Sequence, residues 1–140
     1  MSKTSTEPNY LTDATGTSIY HVLEQMYMDM AALCDRFPKS ASYAHAANRI
    51  LTLVSESLDI FVEGYAYPKF SPERCEAMTM LCQRLATLRR MVHLTYLRTQ
   101  NGPHHPITPV QLANYDQQFF KVGNMMKGFI RTTCVNPEQK

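Results

Sequence analysis

The sequence predicts an all-α protein, an antiparallel up-down-up-down four-helix bundle. Four segments carry apolar residues at three- and four-residue steps, the period of a helix with one buried face. Proline-containing breaks separate them, and a hydroxyl residue stands in front of each segment, as helix caps require. No stretch alternates with strand period for long enough to compete. The chain has 140 residues, the length of one ordinary domain that can bury a core without disulfides or metals. The loops are short enough for consecutive helices to lie antiparallel.

Residues 1–17 are rich in Thr, Ser and Asp and show no period, so they are expected to form a mobile tail. Residues 18–135 are expected to form the bundle and 136–140 a short polar tail. The first helix is expected over 18–37, capped by Thr17 or Ser18, with Ile19, Leu23, Met26, Met30, Leu33 and Phe37 as its stripe. Pro38 ends it by pushing the preceding residue out of the helical region. The second helix, 41–64 with Ser40 as cap, places Ala44, Ala47, Leu51, Val54, Leu58, Phe61 and Val62 on its core side. A flanking set, Ala46, Ile50, Leu53, Ser57 and Ile60, widens its apolar arc to roughly 200° at ~100° per residue. That surplus fits either contact with another subunit, which would make Leu53 and Ile60 interface residues, or a tightly wrapped monomer.

The third helix, 72–100, opens with Ser71-Pro72-Glu73: a hydroxyl cap, a proline at the first helical position and an acid in the first turn. Met78, Leu81, Leu85, Leu88, Val92 and Tyr96 form its core stripe. Leu94 and Leu97 fall on nearly the opposite side, beside Arg90, and are expected at an interface. After the break at Asn101–Pro106, Thr108-Pro109 starts the fourth helix, 109–134, with Ile107 placed to staple back onto it. Its stripe runs through Leu112, Tyr115, Phe119, Val122, Met126, Phe129 and Thr133.

The formal net charge is only +2, yet the halves are oppositely polarised. Residues 1–70 hold five Lys/Arg against eight Asp/Glu, and residues 71–131 hold eight against three. No acid occurs between Glu76 and Asp116. Such a run predicts a surface that meets something negative: nucleic acid, a small anion, or an acidic protein face. On a helix about 40 Å long, arginines are spread along a rod, which suits a phosphate backbone better than a single small anion. Arg84, Arg90 and Arg98 are therefore the candidate phosphate contacts on the third helix, with Lys121, Lys127 and Arg131 on the fourth. Arg74 reads as first-turn decoration. Arg89, near the edge of the core stripe, is expected to pair with Glu56 or Glu63 or to lie at an interface.

Cys34, Cys75, Cys82 and Cys134 show no CxxC spacing, and Cys75 and Cys82 would stand about 10 Å apart along one helix, too far to bridge. They are expected to be reduced thiols in a cytoplasmic protein. His93, His104 and His105 lack acids at metal-site spacing, and no phosphate loop or nucleophile motif is visible, so neither a metal nor a cofactor is expected. An arrangement of Arg84, Arg89, Glu56 and Glu63 as a small-anion enzyme pocket is the minority reading. No apolar run reaches the roughly 20 residues of a membrane span.

Several motifs in order carry a resemblance: Phe37-Pro38-Lys39-Ser40 after the first helix, Arg49-Ile50 in the second, Leu88-Arg89 in the third, and Gly123-Asn124-Met125-Met126-Lys127-Gly128-Phe129 in the fourth. Over residues 19–131 the chain resembles the accessory variability determinant proteins of diversity-generating retroelements. They belong to a wider family of small four-helix bundles that includes the proteins encoded in 23S rRNA intervening sequences. The resemblance implies a non-enzymatic, homopentameric barrel with a basic exterior. Its partners would be RNA or DNA and a reverse transcriptase, whose error-prone copying of a template RNA it would support. The intervening-sequence relatives imply the alternative, a protein-interaction bundle with no direct nucleic-acid role. The Asn101–Pro106 loop is longer and richer in Pro and His than the family's compact turn, and the density of Lys and Arg is lower than in its strongly basic members.

Overall fold

A computed structural model describes residues 14–135. They form four α-helices, α1 (Ser18–Asp35), α2 (Ala41–Tyr65), α3 (Pro72–Thr99) and α4 (Pro109–Cys134), preceded by a single 3-10 turn at Ala14–Gly16. No strand occurs among the described residues. Each helix packs on its neighbour in sequence and α1 also meets α4, while the backbones of the two diagonal pairs stay apart. Across one diagonal, α2 meets α4 only through side chains such as Phe61 and Phe129. All four helices contribute to one core that includes Leu23, Met30, Ile50, Phe61, Leu81, Leu88, Val122 and Met126. No helix is long and apolar enough to cross a membrane among the described residues.

The caps explain why the helices start where they do. Thr17 Oγ1 accepts the Tyr20 N–H at 3.2 Å, and Ser71 Oγ accepts the Arg74 N–H at the same distance. At α4 the box is reciprocal: Gln111 N–H donates to Thr108 Oγ1 at 3.2 Å while Thr108 N–H donates to Gln111 Oε1 at 2.9 Å. Ser40 occupies the cap position of α2, yet its hydroxyl makes no cap bond. The first helix stops two residues before the expected Phe37, because the Arg36 and Phe37 N–H groups turn back onto the Leu33 and Cys34 carbonyls. Phe37 nonetheless stays in the core. Ala14, which the sequence places in the tail, is buried against the bundle, while Thr15 and Gly16 are exposed. The rest of that tail, residues 1–13, and the tail at 136–140 lie outside the described residues.

The second helix reverses the expectation. Its buried face is Ala46, Ile50, Leu53, Val54, Ser57, Phe61 and Gly64, largely the set expected to flank the core. Leu51 and Leu58 are only half-buried and Val62 is exposed. Leu53, expected at an interface, is 1% exposed inside the bundle, and Ile60 is half-buried and packed on the core. Small residues decide the matter. Ala46, Ser57 and Gly64 let the backbone approach its neighbours, and the buried Ser57 hydroxyl is satisfied by donating to Leu53 O at 2.8 Å. Ranking by hydrophobicity favours the leucines instead. At Gly64 the approach is closest: a Cβ there would sit 2.5 Å from Ala77 Cβ and 2.9 Å from Met78 Cε on α3.

The loop 66–71 is held at Phe70, the one non-glycine residue at positive φ (70°) among the described residues. Its N–H donates to Thr133 O of α4 at 2.7 Å, an anchor that offsets the strain of the left-handed conformation.

Leu53→Ala and Leu88→Ala are each expected to cost about 2–5 kcal/mol, and the half-buried Leu51→Ala clearly less, in urea denaturation. Equal costs at 51 and 53 would show that the face is wrongly assigned. Gly64→Ala should lose about 1–3 kcal/mol by overpacking, and an unchanged midpoint would mean the α2–α3 seam is looser than described.

Candidate cationic surface on the third and fourth helices

The arginines of α3 do not share one surface. Arg84 leans toward α2, where its Nε lies 3.4 Å from Glu56 Oε2. Arg89 leans the other way, its Nε donating to Asp116 Oδ1 of α4 at 2.9 Å. The expected partners of Arg89, Glu56 and Glu63, are therefore replaced by Asp116, and Glu56 is taken by Arg84. At ~100° per residue Arg84 and Arg89 are about 140° apart, which is why they meet different neighbours and share no pocket with Glu56 and Glu63. Arg98 lays its guanidinium 5.1 Å from the Tyr43 ring centroid of α2. Arg90 is exposed, with neither a hydrogen bond nor an ion pair among the described residues.

Arg74 is a buried cation, contrary to its reading as first-turn decoration. Its guanidinium lies 4.5 Å from the Tyr65 ring centroid and 5.5 Å from that of Phe129, and one Nη donates to Tyr65 O at 3.2 Å. Burial lowers its pKa from the ordinary arginine value, and the Tyr65 contact opposes the shift. Arg74 thus joins α2, α3 and α4 at one end of the core rather than facing solvent.

Asp116 is the electrostatic centre of the α3–α4 seam. Besides Arg89, it meets His93 Nε2 at 2.7 Å. The sequence shows no acid near His93 in the chain; the fold supplies one from the next helix. Partial burial alone would raise the Asp116 carboxyl, but hydrogen bonds from His93 and Arg89, with their charges, hold it below the usual aspartate value. Arg89 also rests over the Phe120 ring, 5.5 Å from its centroid.

Phe120 is the residue that sequence reasoning passed over. It is 63% exposed, and it begins a run with Asn124, Lys127 and Arg131 in a four-three-four spacing that places all four on one side of α4. That spacing is the signal that could have found it. Lys127, Arg131 and, on another flank, Lys121 are exposed and have no acidic partner among the described residues. On α3, Leu94 and Leu97 are exposed at 52% and 60%, with Met80 on the same outward side. Between the helices a cavity of about 190 Å³ is lined by Cys82, Leu85, Ala86, Arg89, Phe119, Val122, Gly123 and Met126, almost wholly apolar. His104 and His105 are exposed in the loop between α3 and α4. No cluster of three or more metal-ligand side chains occurs among the described residues.

No protein-family model matches the chain, and no curated protein or solved structure matches it either. The chemistry of the surface is therefore the ground for any functional reading.

Because the folded-state pKa of Asp116 is depressed, its contribution to stability is present above the ordinary aspartate range and lost as pH falls through the lowered value. Asp116→Asn is expected to cost about 1–2 kcal/mol at neutral pH and to flatten the acid limb of a stability-against-pH curve. An acid limb identical to that of the parent protein would rule out this carboxylate as its source.

Proposed function

We propose that the chain is a non-enzymatic accessory subunit of a diversity-generating retroelement. In this reading it works in the cytoplasm, binds template RNA or its DNA copy, and docks the reverse transcriptase. The observation that carries the nucleic-acid part is a group of exposed cations on the outer sides of α3 and α4 that have no acidic partner among the described residues: Arg90 on α3 and Lys121, Lys127 and Arg131 on α4. Phosphates reward such unpaired charge because their binding releases counterions. Phe120, with Asn124 beside it on the same stripe, adds an exposed ring on which a base can stack. Arg84 drops to a minor role since Glu56 already neutralises it, and Arg98 is partly occupied by Tyr43.

The bundle is read as antiparallel, up-down-up-down. The end of α2 lies by the start of α3, at Gly64 and Ala77, and its start lies by the end of α3, at Tyr43 and Arg98. At the end of α1, Arg36 donates to Tyr115 OH near the start of α4 at 2.9 Å. Assembly into a homopentameric barrel rests on the family resemblance, with the outward Met80, Leu94 and Leu97 as apolar surface for a neighbour. That same ridge favours the second reading, a protein-interaction bundle of the intervening-sequence type with no direct nucleic-acid role.

Binding to single-stranded RNA and DNA, followed across a salt series, separates the two. Replacing Arg90, Lys127 and Arg131 together by Ala is expected to weaken binding and reduce the salt slope by about 2–3, while Arg84→Ala leaves the slope nearly unchanged. Phe120→Ala should weaken single-strand binding by about 1–3 kcal/mol without changing the slope. Absence of binding by the parent protein at low salt would favour the protein-interaction reading. An unchanged slope in the triple variant would remove this face from the binding site.

A further inference from the structure

Between α3 and α4 the core is left open at one place. The apolar cavity there, about 190 Å³, is floored by Leu85, Phe119, Val122 and Met126, all of them buried. Small residues keep it open toward solvent: Cys82 and Ala86 from α3 and Gly123 from α4, of which Ala86 and Gly123 are exposed. Nothing in the backbone demands a glycine at 123. Its φ is not positive, and a Cβ there would meet no atom within 4 Å. A glycine inside a helix is less stable than an alanine, and here no close packing offsets the loss. What the glycine leaves is room.

The chemistry of the walls limits what can fill that room. Arg89 is the one charged residue among them, and its charge is already matched: Nε donates to Asp116 Oδ1 at 2.9 Å, and the guanidinium rests 5.5 Å from the Phe120 ring centroid. Its methylene stem can line the cavity while its head stays engaged. An anion therefore finds no unpaired cation here. Water gains little, since a bound water needs two to four polar partners and the walls are almost wholly apolar. An apolar cavity of about 150 Å³ is enough to hold benzene, so this space admits a single ring with a short substituent. The surrounding surface turns polar within one helical turn. Gln83 and Arg90 flank Ala86, Lys127 follows Gly123, and Phe120 is the one large exposed apolar neighbour at that spacing. So small an apolar area is far short of the roughly 800 Å² per partner that a specific protein interface buries, but it suits a small molecule.

We propose that the cavity between α3 and α4 is a binding site for a small, neutral, apolar molecule of single-ring size, aromatic or alicyclic and without an ionised substituent. The ring enters past Ala86 and Gly123 and lies on Phe119 and Leu85, with the Arg89 stem along one edge. Its binding takes apolar surface on both sides out of water and supplies the dispersion contacts that the floor side chains lack. Because the walls come from two helices, an occupant also ties α3 to α4. Cys82 lines the site, so an occupant shields its thiol from reagents. The site uses none of the exposed cations on the outer sides of the two helices, and it stands whether or not those cations bind nucleic acid.

The test titrates the whole purified protein with toluene, and separately with benzoate, in a calorimeter, and repeats thermal melting and thiol alkylation with and without toluene. Expected is saturable one-to-one binding of toluene with a dissociation constant on the order of 0.1–1 mM, and clearly weaker binding of benzoate. Saturating toluene should raise the thermal midpoint. It should slow alkylation of Cys82, mapped by mass spectrometry, and leave Cys34 unchanged, since that thiol donates to Ala47 O at 3.7 Å on the far side of the bundle. Gly123→Leu and Ala86→Leu each fill the space from one wall and should weaken toluene binding by about tenfold or more. Both put leucine at an exposed helical position, so the helical circular dichroism of the parent should persist. Gly128→Leu, at a glycine of α4 outside the cavity, should leave toluene binding as it is. No saturable toluene binding by the parent, equal protection of Cys34 and Cys82, unchanged affinity in both filling variants, or benzoate binding as tightly as toluene would overturn the proposal.

Discussion

The backbones of α2 and α3 come together at Gly64, where any side chain would run into Ala77 within a normal contact distance. Ser57 and Ala46 continue the same face of small residues along α2. This close seam fixes how α3 is turned about its own axis, and the turn then decides where every arginine goes. With Met78, Leu81, Leu85 and Leu88 facing inward, Arg84 must fall on the α2 side, Arg89 on the α4 side, and Arg90 outward. Packing of uncharged residues thus sorts the charged ones into paired and unpaired classes.

Electrostatics then finishes the sorting with few acids. Glu56 engages Arg84 at a partly exposed position, where screening leaves the pair little net stability. Asp116 serves two partners at a less exposed position, and so does more to hold α3 and α4 in register. Beyond their reach, Arg90, Lys121, Lys127 and Arg131 have no acidic partner among the described residues, which leaves positive potential on the outer sides of α3 and α4.

The number, type and approximate ends of the helices were legible in the sequence because caps and prolines are local signals. Thr17, Ser71 and Thr108 each make the cap bond that their position implies. The face that α2 buries was not legible, since its centre holds Ser57 and Gly64, which an apolar pattern discounts. The site was legible only as a bias in charge. Which arginines were already neutralised depended on Glu56 and Asp116, acids on other helices. Arg74 escaped for the opposite reason: a charged residue in a first turn looks solvated until the Tyr65 and Phe129 rings are placed around it.

The Phe70–Thr133 hydrogen bond has a kinetic consequence. The α2–α3 pair closes over the short loop 66–71, at small entropic cost, whereas Phe70 can meet Thr133 only after all of α3 and α4 lie between them in their final places. Folding is therefore expected to begin with the hairpin of α2 and α3 and to end with the last turn of α4 docking at Phe70. Perturbing the seam at Gly64 should then slow folding, while loosening the end of α4 should chiefly speed unfolding, a division that the two arms of a chevron plot display directly. The lifetime of the folded chain is in this way expected to be governed by its last helix, the same one that carries Lys121, Lys127 and Arg131.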